Sequence, residues 1–416
     1  MVKIQELLDD ANPAEARIMK HFANRAGGFR PSAVRDVFEV AMRPGIISLA
    51  GGNPDLDLLP LDELGAMSAR IIEEEGLEVL QYGSGAGLEE LAELVCEFMK
   101  SEGSSPALEE IQMTAGSQMG LDLATKLFVN PGDAILAEGP TYTGALGTFE
   151  GYEADVRQVA LDGDGLDPAA VREAIKAIQS EGKEVKFLYT IPNFQNPTGV
   201  TLSDDRREEL ARVCRELDVL IVEDNPYGQL SFDGLRHRSL HSYDPENVLY
   251  LGSFSKVFSP GVRVGWMVAP ERVRKFLQIA GEAVTICPSV LSQRLVLGFM
   301  AEGMWEPHTR RTAALYKERC EAVLAACEKY MPEGTTWTTP SGGFFTWLTL
   351  PEGGKYADAA DALAPAIENG VVFVPGSAFF ETVDGKNPGA NQLRIAFSSV
   401  EPTVLEEGVK RLAEVL

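Results

Sequence analysis

Val219-Leu220-Ile221-Val222-Glu223-Asp224 and Val248-Leu249-Tyr250-Leu251-Gly252-Ser253-Phe254-Ser255-Lys256 decide the fold of this chain. Each opens on an apolar run without the polar alternation of a half-solvated strand, and each closes on ionisable or hydroxyl side chains. Such continuous runs read as strands covered on both faces, the pattern of a mostly parallel sheet. Working outward, comparable runs stand at 111–114, 134–137, 185–190 and 264–268, separated by helical patterns such as 203–217. Strands alternating with helices are the α/β signature, and ligands of such sheets bind beyond the carboxyl ends of the strands. Beyond Pro270 the pattern turns helical through 290–330 and then gives shorter strands near 343–350, 371–374 and 392–397, which predicts a second, smaller α+β domain.

A chain of 416 residues has room for two or three domains, and no repeat, charge block or low-complexity linker marks a boundary between them. Hydrophobic residues make up 45% and charged residues 24%, enough apolar material for a sizeable core. Thirty-seven Lys and Arg stand against 62 Asp and Glu, a net charge of −25 that repels nucleic acid and anionic lipid over most of the surface. Neither is expected as a partner. The five cysteines are odd in number and form no C-x-x-C pair, so neither a disulfide framework nor a zinc cluster is indicated. The four histidines make no metal spacing, and no metal is expected. Residues 1–10 lack an apolar signal core, and no stretch approaches the roughly 18 apolar residues of a membrane helix. The expectation is a reduced, cytoplasmic protein.

The loops that follow the strands carry the unusual residues. Asp224 ends a buried run, with Tyr227 close behind, and a carboxylate there needs a cationic partner to stay ionised. Ser253, Ser255, Lys256 and Arg263 put two hydroxyls and two cations within a dozen residues, which suits a phosphate and an amine nucleophile. Gly116-Ser117-Gln118 follows the 111–114 run at the start of a helix, where free backbone N–H groups favour an anion. After 185–190 comes Pro192-Asn193-Phe194-Gln195-Asn196-Pro197-Thr198-Gly199, whose prolines and glycine fix Asn196 as a rigidly held amide. Tyr142 follows the strand ending at Glu138. Taken singly, each has a plainer reading: Asp224 could cap a helix before Pro226, Ser117 could be a cap, and Arg394, within the run 393–397, could be an interdomain salt bridge.

Together and in order, Asn196-Pro197-Thr198-Gly199, Asp224-x-x-Tyr227, Ser253-x-Ser255-Lys256 with Arg263, and Arg394 resemble the class I aminotransferases of the aspartate aminotransferase fold. Gly51-Gly52-Asn53-Pro54, Gln81-Tyr82, Gly116-Ser117-Gln118 and Phe194-Gln195-Asn196-Pro197 are similar to the branch that includes 2-aminoadipate and kynurenine aminotransferases. The resemblance implies pyridoxal 5′-phosphate (PLP) as cofactor. It implies Lys256 as the amine that carries PLP and shuttles the Cα proton, Asp224 as partner of the ring nitrogen, Asn196 and Tyr227 on the phenolic oxygen, and Tyr142 on the ring face. Ser117, Gln118, Ser253, Ser255 and Arg263 are implied to hold the phosphate, joined by Tyr82 from a second subunit of a homodimer. Gly52, Asn196 and Arg394 are implied to receive the substrate, Arg394 by clamping its α-carboxylate.

The implied division is an N-terminal arm with part of the small domain over 1–60, a large PLP-binding domain over 61–300 and a C-terminal small domain over 301–416. The stretch 29–38 resembles a mobile helix over the active site, with Arg35 offered to the substrate side chain, although Arg35 could instead pair with Asp36 or Glu39. The implied small-molecule substrates are an amino acid and a 2-oxo acid, with 2-oxoglutarate and glutamate as one pair and a dicarboxylic, aromatic or long aliphatic amino acid as the other. A β-lyase of the same fold would use the same cofactor-holding residues, and a PLP-sensing transcription regulator shares the motifs. That regulator carries an N-terminal winged helix-turn-helix, which the early start of the enzyme-like pattern leaves no room for. Gly83-Ser84-Gly85-Ala86-Gly87 is not a dinucleotide loop, because Leu88 stands where the last glycine is required.

Overall fold

The computed structural model describes residues 11–28, 37 and 39–416. Its eight-stranded sheet comprises, after an isolated β1 (Ile47–Ser48), the strands β2 (Ile111–Thr114), β3 (Ala134–Gly139), β4 (Asp155–Asp162), β5 (Gly165–Leu166), β6 (Val185–Thr190), β7 (Leu220–Asn225), β8 (Val248–Ser253) and β9 (Gly265–Val268). They lie in the order β2-β9-β8-β7-β6-β3-β4-β5, with the β8-β7-β6-β3-β4 centre parallel throughout. The sheet is mostly parallel, as expected. β9 nevertheless runs antiparallel to both β8 and β2, because a continuous apolar run specifies burial on two faces and says nothing about direction.

Helices cover both faces. Pro168–Ser180 turns Val171, Ile175 and Ile178 inward at helical spacing and is capped by Asp167, whose side chain accepts the Ala169 N–H. With Asp204–Glu216 it packs on Leu136, Leu188 and Ile221. On the opposite face, Ser117–Phe128 buries Leu121, Leu123 and Ala124 in the larger core that holds Ala137, Tyr189, Val222 and Leu251. Each fully buried Leu or Ile stabilises this sandwich by roughly 1.5–3 kcal/mol.

A second sheet is antiparallel and smaller. β10 (Thr336–Trp337), β11 (Phe345–Thr349), β13 (Val374–Pro375) and β14 (Gln392–Ala396) run in the order β10-β11-β14-β13, while β12 (Val371–Val372) pairs in parallel with β1. That pairing carries the N-terminal segment onto the C-terminal part of the chain and brings residues 50–53 beside β14. The segment is fastened there by Arg319, fully buried on the helix Trp305–Tyr330, which donates to Ser398 O at 2.6 Å and pairs with Asp55 at 2.7 Å. No helix among the described residues is long and apolar enough to cross a membrane.

Candidate active site

A cavity of about 1190 Å³ opens at the carboxyl ends of β2, β6, β7 and β8, where the sheet meets β11 and β14. One end is built for an anion. Ser117–Phe128 starts on Gly116, at φ +84°, with no side chain capping it, so its first backbone N–H groups remain available beside the positive end of the helix dipole. Ser253, Ser255 and Arg263 stand next to it. Arg263 donates through Nη2 to Ala115 O at 2.7 Å and through Nη1 to Ser255 Oγ at 3.3 Å, and it forms no ion pair among the described residues. Gly116 is required there: a Cβ would lie 2.6 Å from the Arg263 guanidinium.

The floor is Asp224, at the end of β7 and buried. Tyr189 donates its hydroxyl to Oδ2 at 2.9 Å, and Oδ1 is buried without a hydrogen-bond partner among the described residues. Burial pushes the Asp224 carboxyl up to about 6, against the pull of Tyr189, Ser117 and Lys256. Lys256 follows β8 and donates its Nζ to Gly52 O at 3.0 Å. Burial, then the like charges of Arg394 and Arg263, bring its amine down to about 8, so that roughly a tenth of it is neutral at pH 7, far more than for an ordinary lysine.

The third wall comes from β14. Arg394 is buried between the rings of Phe345 and Phe379, its guanidinium carbon 4.3 and 5.2 Å from their centroids. Nη1 donates to Asn196 Oδ1 at 2.8 Å and Nη2 to Ala50 O at 2.6 Å, while Nε is buried without a partner among the described residues. Desolvation lowers its guanidinium to about 10. Tyr142 and Tyr227 complete the lining, each with its phenol held above its ordinary range, chiefly by burial.

One chain thus brings Gly52, Ser117, Gln118, Tyr142, Asn196, Asp224, Tyr227, Ser253, Ser255, Lys256, Arg263 and Arg394 to the same cavity. Among the described residues Arg394 forms no interdomain salt bridge: its guanidinium meets an amide and a carbonyl and no carboxylate there. Tyr82 does not line this cavity and is 72% exposed. Arg35 lies outside the described residues. Tyr189 escaped the sequence reading, although a tyrosine near the end of an otherwise apolar buried strand signals a phenol that needs a partner. The Ala50 carbonyl had no signal, because only the β1–β12 pairing brings it to Arg394.

This combination of a type I PLP-enzyme architecture, a lysine after a buried strand and an anion cradle at a helix start defines a class that the comparisons identify. Residues 44–412 match the family model "Aminotransferase class I and II". Aromatic-amino-acid aminotransferase 1 of Thermococcus litoralis is 39% identical over 400 residues, covering 95% of this chain and 94% of that one. The structure of Pyrococcus horikoshii kynurenine aminotransferase, in complex with PMP, superposes with a TM-score of 0.89 at 37% identity, covering 96% of this chain and 97% of that one. The alpha-aminoadipate aminotransferase of Thermus thermophilus, complexed with N-(5′-phosphopyridoxyl)-L-leucine, gives 0.87 at 33%, covering 96% and 98%. The chain belongs to the class I and II aminotransferases and is a PLP-dependent enzyme of that family. Its residues fit the cofactor: the unpartnered Asp224 Oδ1 suits a ring N–H, and the uncapped helix start with Arg263 suits a phosphate.

Proposed function

We propose that this enzyme uses 2-oxoglutarate and glutamate as one substrate pair and a dicarboxylic, aromatic or long aliphatic amino acid as the other, acting as a homodimer through the residues gathered above. PLP, when bound, supplies an aldehyde that condenses with amines and a ring that takes up the electrons released at the substrate Cα. Lys256 is the amine nucleophile and the base that moves the Cα proton, for which its lowered basicity near neutral pH prepares it. Asp224, with its unpartnered Oδ1, would keep a proton on the ring nitrogen. Asn196 and Tyr227 offer hydrogen bonds to the phenolic oxygen, and Tyr142 offers a face for stacking. The helix start at Ser117, with Gln118, Ser253, Ser255 and Arg263, holds the phosphate. Arg394 takes the substrate α-carboxylate, its planar guanidinium already oriented by Asn196 and Ala50. Gly52 leaves room beside it, since a Cβ there would lie 2.6 Å from the Phe345 ring.

The observation that carries the reading is the pairing of Lys256 and the unpartnered Asp224 Oδ1 with a separate buried cation, Arg394, in one cavity. The names of the relatives support the donor classes, and Arg35 is proposed to meet a second carboxylate. Exposed apolar residues support the dimer: Leu77 is 98% exposed, and Leu80, Tyr82, Phe276 and Ile279 are largely exposed. Mixing the PLP-loaded protein with 2-oxoglutarate and a panel of amino acids tests the reaction. Glutamate should form with aromatic and dicarboxylic donors. Release of ammonia and a 2-oxo acid without glutamate would place the chemistry with the β-lyases instead.

A further inference from the structure

Glu138, the penultimate residue of β3, is buried, yet it lines no part of the cavity. Strand register explains why. Ala137 lies opposite Tyr189 and Tyr189 opposite Val222, so Tyr189 and Asp224 share one face of the sheet while Glu138, one residue on, points to the other. There its carboxylate is gripped from three sides: it accepts from the Thr190 hydroxyl, from the Ile191 N–H at 3.1 Å and from Gln195 Nε2 at 3.0 Å. Gln195 also donates to Pro140 O at 2.8 Å and accepts from the Thr198 N–H at 2.8 Å and its hydroxyl at 2.7 Å. The next residue is Asn196, whose Oδ1 holds Arg394. A buried carboxyl costs stability unless its bonds return something, and here the bonds from Ile191 and Gln195 run into the loop that carries Asn196, while Thr190 closes the strand that leads into it.

We propose that Glu138 is a positioning residue for substrate binding: through Gln195 it fixes the loop at 191–199 so that Asn196 orients Arg394 toward the substrate carboxylate. This rests on the reading of Arg394 as the carboxylate clamp. Burial raises the Glu138 carboxyl to about 7, the Thr190 and Gln195 bonds and the Ile191 N–H opposing that rise.

The test uses the PLP-loaded protein and 3-phenylpropionate, an unreactive carboxylic acid, with its dissociation constant read by titration calorimetry. Glu138→Gln keeps the acceptor for Thr190 and Ile191 but turns a donor toward the Gln195 donor. Losing that charged hydrogen bond should weaken binding about tenfold and raise the amino-acid KM more than it lowers kcat. Gln195→Glu, which opposes two carboxylates, should also weaken it. The double variant, with donor and acceptor exchanged, should bind more tightly than either single one. Wild-type affinity in Glu138→Gln, or a double variant no better than the singles, overturns the proposal. Should Glu138→Gln not fold, Gln195→Leu must show the weakened binding, and wild-type affinity there overturns it equally. Arg394→Met separates the underlying reading: if it retains affinity for 3-phenylpropionate, the clamp assignment falls, whatever Glu138 does.

Discussion

Lys256 and Asp224 meet the same burial with opposite consequences. Desolvation disfavours the charged form of each, lowering the amine to about 8 and raising the carboxyl to about 6. For the amine, the neutral form is the nucleophile, so capture of PLP, followed by its visible absorbance, should speed up as pH rises through about 8. Arg394 is one of the like charges holding that amine down. Arg394→Met should therefore raise the Lys256 basicity and move the capture profile to higher pH; an unmoved profile would mean burial alone sets it. For the carboxyl, the ionised form is required. PLP affinity should fall as pH drops through about 6, and Tyr189→Phe, which deletes a hydrogen bond that favours the anion, should shift that fall upward. A shift downward, or none, would show that the Tyr189 bond does not stabilise the ionised carboxyl.

The anion cradle belongs to a helix as a whole. Ser117–Phe128 has no side chain capping it, and its N-cap glycine sits at φ +84°, a conformation disfavoured for any residue with a Cβ. Gly116→Ala would add strain and press on the Arg263 guanidinium. The expected outcome is a loss of about tenfold in affinity for PLP, the size of one charge-assisted contact, with little change for pyridoxal, which lacks the phosphate. Titration of both compounds checks it, and an equal loss for the two would assign Gly116 to folding rather than to the phosphate. β4 shows the converse case. It pairs with β3 over residues 155–160, yet its Asp155 and Arg157 are charged and only partly covered and its Asp162, beside β5, is exposed, so its residues do not spell the buried run of its neighbours.

At the scale of the molecule, several exposed apolar residues sit on adjoining elements. The 83–85 loop beyond Tyr82 lies against Glu282 and Val290, next to the helix Glu271–Thr285 that exposes Phe276 and Ile279. Light scattering should give twice the mass of one chain. Leu77→Asp with Leu80→Asp should push it toward that of a single chain by burying two charges in the interface. A double variant with unchanged mass would move the interface elsewhere. If Tyr82 crosses to the partner's cofactor, mixing Tyr82→Phe with Lys256→Ala chains should restore activity that neither variant has alone.

The strand-ending residues were legible because their chemistry contradicts their surroundings: Asp224, Lys256 and Asn196 are polar groups placed directly after buried runs, and a buried polar group must have a use. The helix-sandwiched α/β sheet and the smaller C-terminal sheet followed from the same runs and their spacing. The direction of β9, the charged strand β4 and the 50–53 segment did not, since each is set by a partner distant in the chain. Tyr189 reaches Asp224 across 35 positions and Arg394 reaches Ala50 across 344. Composition and periodicity report the environment a residue prefers, and by themselves they determined which side chains this protein would bury and which it would bring to the strand ends. Only the tertiary structure decided which atoms would be left without a partner, Asp224 Oδ1 and Arg394 Nε among them, because satisfaction of a buried polar atom depends on every segment that packs around it.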